Sequence, residues 1–381
     1  MTVPVHPPAA AHAPGEVETE LVQLLTPAGE RVSHPVYAFD GDDATVRDLY
    51  RDLVLARRVD AEATALQRHG ELGLWAPSLG QEAAQIGAGR AMAPQDFAFP
   101  TYREHGVAWT RGIDPAKLLG LFRGVELGGW DPAETRMALY SIIIGAQALH
   151  AVGYAMGITL DGEVGHGDAE RDAATMAFFG DGATSQGDVS EAFIWAASFQ
   201  APVVFFCQNN HYAISVPLAR QTRVPLVQRA AGFGFPGVRV DGNDVLAVHA
   251  VTSAALQRAR DGEGPTLIEA VTYRMGAHTT SDDPGRYRDA DEVEQWRAKD
   301  PVARVEAYLR TLGTPEAFFT DLAAEADELG AHLREACRAL PEPDLADLFD
   351  LVHADEHPEL AEQKAQYLAY RAGFETEGGV A

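Results

Sequence analysis

Short apolar runs alternate with amphipathic segments through the middle of the chain, and this alternation limits the possible folds most strongly. Runs at residues 174–179, 202–207, 238–240 and 266–272 have the length and the flanking turn residues of buried strands. Apolar residues at helical spacing follow the first and the third run. Strands that alternate with such helices predict an α/β fold, with a mostly parallel, doubly wound sheet flanked by helices on both faces.

Polar residues stand directly after two of the predicted strands. Gly180, Asp181 and Gly182 follow the first strand, and Asn209 and Asn210 follow the second. Because ligands of parallel sheets bind at the carboxyl ends of the strands, neighbouring strands would bring a carboxylate and an amide oxygen together. These two oxygens, a backbone carbonyl and diphosphate oxygens suit an octahedral Mg²⁺ shell. An Asp-Gly pair alone indicates only a turn.

Further motifs surround this pair and occur in a fixed order along the chain. They are residues 101–106 (TYREHG), 142–147 (IIIGAQ), 208–215 (QNNHYAIS), 240–244 (VDGND) and 273–283 (YRMGAHTTSDD). With the Gly-Asp-Gly turn, they resemble the α subunit of the thiamine diphosphate-dependent first, decarboxylating component of bacterial 2-oxo acid dehydrogenase complexes, of the pyruvate or branched-chain type. The resemblance covers residues 43–312 and implies a thiamine diphosphate-binding fold.

The resemblance implies that thiamine diphosphate and Mg²⁺ are the cofactors. It makes the Asp181 carboxylate, the Asn210 side chain and the backbone carbonyl of Tyr212 the metal ligands. Tyr102 and Arg103 match the pair that holds the diphosphate, and a planar guanidinium suits that role. The full set of cofactor-binding positions that the resemblance implies is Tyr102, Arg103, Ile144, Gly180, Asp181, Gly182, Ala183, Asn210, Tyr212 and His278.

The resemblance also gives roles to four members of this set that neither bind the metal nor belong to the pair of Tyr102 and Arg103. His278 lies in a polar loop after the fourth predicted strand, which is a poor setting for a core histidine. The resemblance makes it the catalytic histidine, which helps to protonate or stabilise intermediates during acyl transfer to lipoyl, and a near-neutral pKa would suit this role. The alternative is a histidine that only orders its loop. Gly182 and Ala183 match backbone contacts to the diphosphate, and Ile144 matches the residue that supports the bent cofactor.

Several positions depart from the family pattern. Gln208 stands where some members carry an arginine, so one positive charge near the diphosphate is missing or comes from elsewhere. Ile142 stands where other members have a serine near the cofactor. Thr279 and Thr280 occupy the place of a phosphorylated serine in mitochondrial relatives, and we do not carry that regulation over to this chain.

The resemblance also implies that the chain supplies half of an active site. In this family a glutamate that activates the cofactor comes from a separate β subunit, and nothing in this sequence takes its place. We therefore expect an α2β2 heterotetramer that works with a lipoyl-bearing acyltransferase core. Residues 137–160 contain no Asp, Glu, Lys or Arg, and they predict a helix buried at a domain or subunit interface rather than a membrane span.

The expected substrate is a small 2-oxo acid. Residues 70–84 and 142–144 are closer to bacterial pyruvate-type chains, so we expect pyruvate dehydrogenase activity. A branched-chain 2-oxo acid (2-oxoisovalerate) is the alternative, and acetoin is a weaker one, because relatives with the same motifs handle all three.

Two other functional classes fit the sequence less well. A dinucleotide-dependent oxidoreductase is disfavoured because Gly232, Gly234 and Gly237 precede a predicted strand instead of following one. A scaffold without activity is disfavoured because the residues of the expected site are all present.

The chain is strongly acidic, and the excess of acidic residues is uneven along the sequence. The net charge of −26, from 56 acidic and 30 basic residues, argues against nucleic acid or an anionic membrane as a partner. Within residues 315–362, 14 acidic residues oppose only Arg334 and Arg338. We therefore divide the chain into a flexible arm (1–36), the cofactor-binding domain (37–313) and an acidic helical tail (314–381). Two cysteines without disulfide or zinc spacing fit a cytoplasmic protein.

Overall fold

The computed structural model describes residues 17–126, 128–350 and 352–376. Its strands are β1 (Val17–Val22), β2 (Phe97–Phe99), β3 (Thr175–Gly180), β4 (Val203–Asn209), β5 (Tyr212–Ala213), β6 (Val216–Pro217), β7 (Gly237–Asp241) and β8 (Thr266–Val271). Its helices are α1 (Asp43–Arg68), α2 (Glu82–Ala91), α3 (His105–Thr110), α4 (Pro115–Arg123), α5 (Pro132–Thr135), α6 (Ala146–Leu160), α7 (Gly187–Phe199), α8 (Leu218–Gln221), α9 (Arg229–Phe233), α10 (Val245–Arg260), α11 (Ala290–Arg297), α12 (Pro301–Thr311), α13 (Glu316–Ala339), α14 (Asp347–Asp350) and α15 (Pro358–Thr376).

Six parallel strands form the main sheet, in the order β1-β7-β8-β4-β3-β2. Alternate side chains of each strand enter two separate cores, because successive residues of a strand point to opposite faces. Phe178 and Phe206 join the core under α1, α2 and α10, whereas Phe179 and Phe205 join the core under α6 and α7. The parallel sheet with helices on both faces confirms the predicted fold class.

The four predicted strands correspond to β3, β4, β7 and β8, but two edge strands escaped prediction. One of them, β1, lies in the segment that we expected to be a flexible arm, and it pairs in parallel with β7. The backbone N–H groups of Leu24 and Leu25 donate to Asp244 Oδ2 at 2.7 and 2.6 Å, and both leucines are buried. Residues 17–25 therefore belong to the domain, and residues 1–16 lie outside the described part.

We had expected the uncharged segment 137–160 to form one helix, and this prediction is wrong. Met137 forms a β-bridge to Ala98. The helix α6 begins only after Gly145, which has a left-handed backbone conformation with φ of 96° at the end of the preceding loop. The loop exposes Ile142 and Ile143, with 73% and 75% of their surfaces accessible in the single chain. One face of α6 packs on β3 and α7, while the other is open. Among the described residues, no helix is long and apolar enough to span a membrane.

The expected acidic tail is helical, but its first helix is part of the main core. The side chains of Leu322, Leu333 and Cys337 on α13 are buried in the core that α1 and α12 also line. The acidic residues lie mainly on the outer face, where Glu325 pairs with Arg51. An amphipathic helix of this kind buries its apolar stripe whatever its net charge. The helices α14 and α15 pack on each other and contribute none of their described residues to the main core.

We expect Leu333→Ala to destabilise the chain by about 2–5 kcal/mol, because it removes a fully buried side chain and leaves a cavity between α13 and the domain. The free energy of unfolding in urea measures the effect. Leu368→Ala on α15, where the leucine is half exposed, serves as the control and should change stability by less than about 0.5 kcal/mol. Equal losses in both variants would contradict the placement of α13 in the core.

Candidate active site

A cleft of about 260 Å³ opens at the carboxyl ends of the central strands. Gly180 of β3 lies opposite Gln208 of β4, so the segments that follow these strands emerge side by side. The loop after β8 closes the cleft with His278. All ten predicted site residues line it: Tyr102, Arg103, Ile144, Gly180, Asp181, Gly182, Ala183, Asn210, Tyr212 and His278.

The three expected metal ligands converge within this cleft. One terminal atom of the Asn210 amide lies 3.3 Å from Asp181 Oδ1 and 3.1 Å from the Tyr212 carbonyl oxygen. If that atom is the nitrogen, it donates to both oxygens. If it is the oxygen, the amide nitrogen donates to Gln81 at 3.0 Å, and three oxygens face one another.

The second amide orientation suits a bound divalent cation. Oxygens at neighbouring corners of an octahedral Mg²⁺ shell lie about 3 Å apart, which follows from metal–oxygen distances near 2.1 Å. The spacing of the Asp181, Asn210 and Tyr212 oxygens agrees with such a shell. The described residues contain no cluster of three or more His, Cys, Asp or Glu side chains that could hold a metal ion. A cation here would therefore be bound by one carboxylate, by neutral oxygens and by the anionic oxygens of a diphosphate.

Asp181 is deeply buried, with 1% of its surface accessible. Burial raises the pKa of this carboxyl to about 6, because desolvation penalises the charged form. A hydrogen bond from Gln221 Nε2 to Oδ2, 2.6 Å long, acts in the opposite direction, as does the positive charge of Arg274. A cation beside Oδ1 would favour the charged form further.

The guanidinium of Arg103 is fixed by hydrogen bonds to two loops. Its guanidinium donates to the Pro77 carbonyl at 2.6 Å and to the His278 carbonyl at 2.8 Å. The Tyr102 ring lies with its centroid 5.5 Å from the guanidinium carbon. The predicted pair is thus fixed at the cleft wall, where Arg103 presents a buried positive charge.

The environment of His278 fixes which ring nitrogen carries its proton. Nδ1 lies 3.2 Å from a nitrogen of Arg103 and 3.4 Å from one of Arg274. Both arginine groups can only donate, so Nδ1 accepts and Nε2 carries the proton of the neutral ring. Burial, and then the charges of Arg103 and Arg274, lower the pKa of His278 to about 4, although Asp282 raises it slightly. The pKa in this chain alone is thus lower than the near-neutral value that would suit catalysis.

Gln208 supplies no charge to the cleft. Its amide donates to Glu104 at 2.7 Å and accepts from Gln85 at 3.2 Å, so it belongs to a buried polar network. Glu104 also accepts from the backbone N–H and the hydroxyl of Thr101, and burial raises the pKa of its carboxyl.

Arg274 is the main site residue that our sequence reasoning missed. It is almost fully buried, lines the cleft, and donates to the carbonyls of Tyr212 at 3.2 Å and Ile214 at 2.7 Å. It lies in the recognised 273–283 motif, just after a predicted strand, and this position is the signal that could have identified it. Arg274 places a second guanidinium in the cleft, where Gln208 provides none.

Gly182 and Ile144 also line the cleft. A Cβ atom at Gly182 would lie 2.7 Å from Ala213 Cβ, so only glycine permits this close approach of the two loops. Ile144 reaches the cleft from the loop that precedes α6, and it remains partly exposed.

The low pKa of His278 predicts a pH-dependent contribution to stability. The ordinary histidine pKa of 6.5 applies to the unfolded chain, which therefore binds the proton more readily than the folded chain. The contribution is present above pH 6.5 and is lost as the pH falls toward 4. We expect the unfolding free energy of the wild type to fall relative to that of His278→Gln in this window. Urea unfolding at several pH values measures the difference, and parallel curves would count against the assigned environment.

Comparison with known proteins identifies the family to which the chain belongs. Residues 50–336 match the family model described as the dehydrogenase E1 component. The chain is 45% identical over 355 residues to the 3-methyl-2-oxobutanoate dehydrogenase subunit alpha of Mycobacterium tuberculosis strain H37Rv, which covers 93% of this chain and 95% of that protein.

Pyruvate dehydrogenase E1 component subunits alpha are also similar. The protein of Acholeplasma laidlawii is 37% identical over 86% of this chain and 94% of its own length. That of Bacillus cereus is 36% identical over 91% of this chain and 92% of its own. The chain belongs to the dehydrogenase E1 component family, as an α subunit of a thiamine diphosphate-dependent 2-oxo acid dehydrogenase.

Proposed function

We propose that the chain is the α subunit of a branched-chain 2-oxo acid dehydrogenase, which decarboxylates 3-methyl-2-oxobutanoate and transfers the acyl group to a lipoyl domain. The observation that carries this proposal is the 45% identity to the mycobacterial branched-chain subunit over nearly the whole chain. The pyruvate-type relatives reach 37% and 36%.

Pyruvate, which the sequence favoured, is the second candidate. Its support came partly from residues 142–144, yet Ile142 and Ile143 are exposed and only Ile144 lines the cleft. This segment therefore says little about the size of the acyl group that the site accepts.

The residues of the cleft fit both cofactors. Asp181, Asn210 and the Tyr212 carbonyl would hold Mg²⁺, and Gly182 and Ala183 line the cleft where their backbone could contact a diphosphate. Arg103 offers a guanidinium to that anion. When bound, thiamine diphosphate supplies the nucleophile and the electron sink for decarboxylation of a 2-oxo acid.

His278 would hold a proton at Nε2 near the reacting groups. The arginines at Nδ1 disfavour the doubly protonated ring, so the neutral ring can donate a hydrogen bond through Nε2. An anionic diphosphate beside Arg103 would offset part of the positive charge and raise the pKa of His278 toward neutrality.

The carboxylates of the cleft support a site that is completed by a β subunit. Among the described lining residues, only Asp181 and Glu104 carry carboxylates. Asp181 belongs to the proposed metal site, and Glu104 is saturated by Thr101 and Gln208. A further acid that activates the cofactor would have to come from the partner, in an α2β2 heterotetramer.

The outer face of α6 and α7 is suited to bind that partner. Its exposed apolar side chains are Tyr154, Leu160, Ile194, Trp195 and Phe199. Large exposed apolar surfaces of this kind mark protein interfaces. On α6, a Cβ at Gly153 or Gly157 would meet no atom of the described residues within 4 Å, so another helix could approach closely there.

We expect the isolated chain to show negligible decarboxylation, and co-expression with its β subunit to restore it. Initial rates of the assembled enzyme with 3-methyl-2-oxobutanoate and with pyruvate, followed with an artificial electron acceptor, give the specificity directly. A higher kcat/KM for 3-methyl-2-oxobutanoate supports the proposal, and a higher value for pyruvate replaces it with the second candidate. Turnover by the isolated chain would contradict the shared active site.

Gly153→Leu should prevent assembly of the heterotetramer and leave the fold of the isolated chain intact. The new side chain meets open space in the single chain but would separate two closely packed helices. Light scattering after size-exclusion chromatography measures assembly. Gly232→Leu, at another open glycine, is the matched control and should assemble normally. Normal assembly of Gly153→Leu would exclude this face of α6 from the interface.

A further inference from the structure

Gln221 forms a side-chain hydrogen bond to the buried carboxylate of Asp181. It is the last residue of α8, and its Nε2 donates to Asp181 Oδ2 at 2.6 Å across 40 positions of sequence. The other carboxylate oxygen, Oδ1, lies 3.3 Å from the Asn210 amide. The two oxygens of Asp181 therefore have different partners, one in α8 and one in the cleft.

The segment that carries Gln221 is also the segment that carries Tyr212. Antiparallel pairing of β5 with β6 folds the chain back, and the N–H of Leu218 donates to the His211 carbonyl at 2.9 Å. This closure sets α8 against the turn that contains Asp181. One short hairpin thus fixes the Tyr212 carbonyl and the Gln221 amide relative to the same carboxylate.

The orientation of the Gln221 amide follows from its surroundings. An ionised carboxylate only accepts hydrogen bonds, so the amide must turn its nitrogen toward Asp181. Its Oε1 is then buried without a hydrogen-bond partner within the described chain. A buried acceptor without a partner costs stability, so the fold retains this arrangement at a cost.

We propose that Gln221 is a positioning residue for the metal: it binds Oδ2 of Asp181 and thereby turns Oδ1 toward the Asn210 and Tyr212 oxygens. This inference rests on the proposed Mg²⁺ site. Groups that hydrogen-bond to metal-ligating carboxylates fix their orientation, and losing one weakens metal binding by about 10- to 100-fold. Without the amide, the Asp181 carboxylate could rotate or take up a proton in its buried setting.

The test uses the assembled α2β2 protein freed of cofactor and metal. Gln221→Met removes the donor at similar side-chain length, and Gln221→Ala is the second variant should the first not assemble. Gln228→Met, at an exposed glutamine in the same region, is the matched control. Binding of Mn²⁺ in the presence of excess thiamine diphosphate is measured from the free ion by electron paramagnetic resonance, so the readout does not depend on turnover.

We expect the Gln221 variants to bind Mn²⁺ about 10- to 100-fold more weakly, with full cofactor loading recovered at high metal concentration. A general structural defect would instead lower the loading that can be reached, without a shift in the metal titration, and that result would overturn the inference. So would wild-type affinity in both Gln221 variants.

Asp181→Asn separates this inference from the function on which it rests. If Asp181→Asn loses Mn²⁺ binding while the Gln221 variants retain it, the metal site stands and only the role of Gln221 is wrong. If Asp181→Asn binds Mn²⁺ as tightly as the wild type, the proposed metal site itself is wrong.

Discussion

The parallel register of β3 with β4 is the constraint on which the rest of the site depends. Phe178 faces Phe206 in one core, and the next pair, Phe179 and Cys207, faces the other core. A slip of either strand by one residue would turn its side chains to the wrong face of the sheet. Since Asp181 and Asn210 follow directly after these strands, the same apolar packing that fixes the register also brings the two polar groups together.

The electrostatics of the cleft suit a ligand that carries both signs of charge. Burial raises the pKa of Asp181, whereas burial together with the charges of Arg103 and Arg274 lowers that of His278. A cation would stabilise the charged Asp181, and an anion would offset the charges of Arg103 and Arg274. Magnesium diphosphate combines these two features, so its binding would move both groups toward the protonation states that the proposed chemistry needs.

Much of this arrangement could be predicted from the sequence, because the signals are local. The four central strands are apolar runs bounded by turn residues, and the site residues stand where those runs end. The edge strands were missed because β2 has only three residues and most residues of β1 are not buried. Gln221 was missed for another reason: its partner lies 40 positions away, and no local pattern marks a hydrogen bond of that range. Arg274 was missed although its place in the 273–283 motif was a usable signal, because its bonds to Tyr212 and Ile214 appear only in the folded chain.

The corrected boundaries also explain how the site and the expected partner surface are connected. Because α6 begins only at Ala146, the preceding loop is free to reach the cleft with Ile144 while it exposes Ile142 and Ile143. A continuous helix over residues 137–160 would not link the two places in this way. The loop runs from the cleft directly into α6, whose open face carries Tyr154 and Leu160. In the proposed heterotetramer, a partner that packs against the start of α6 would therefore also bury the two exposed isoleucines beside the cleft.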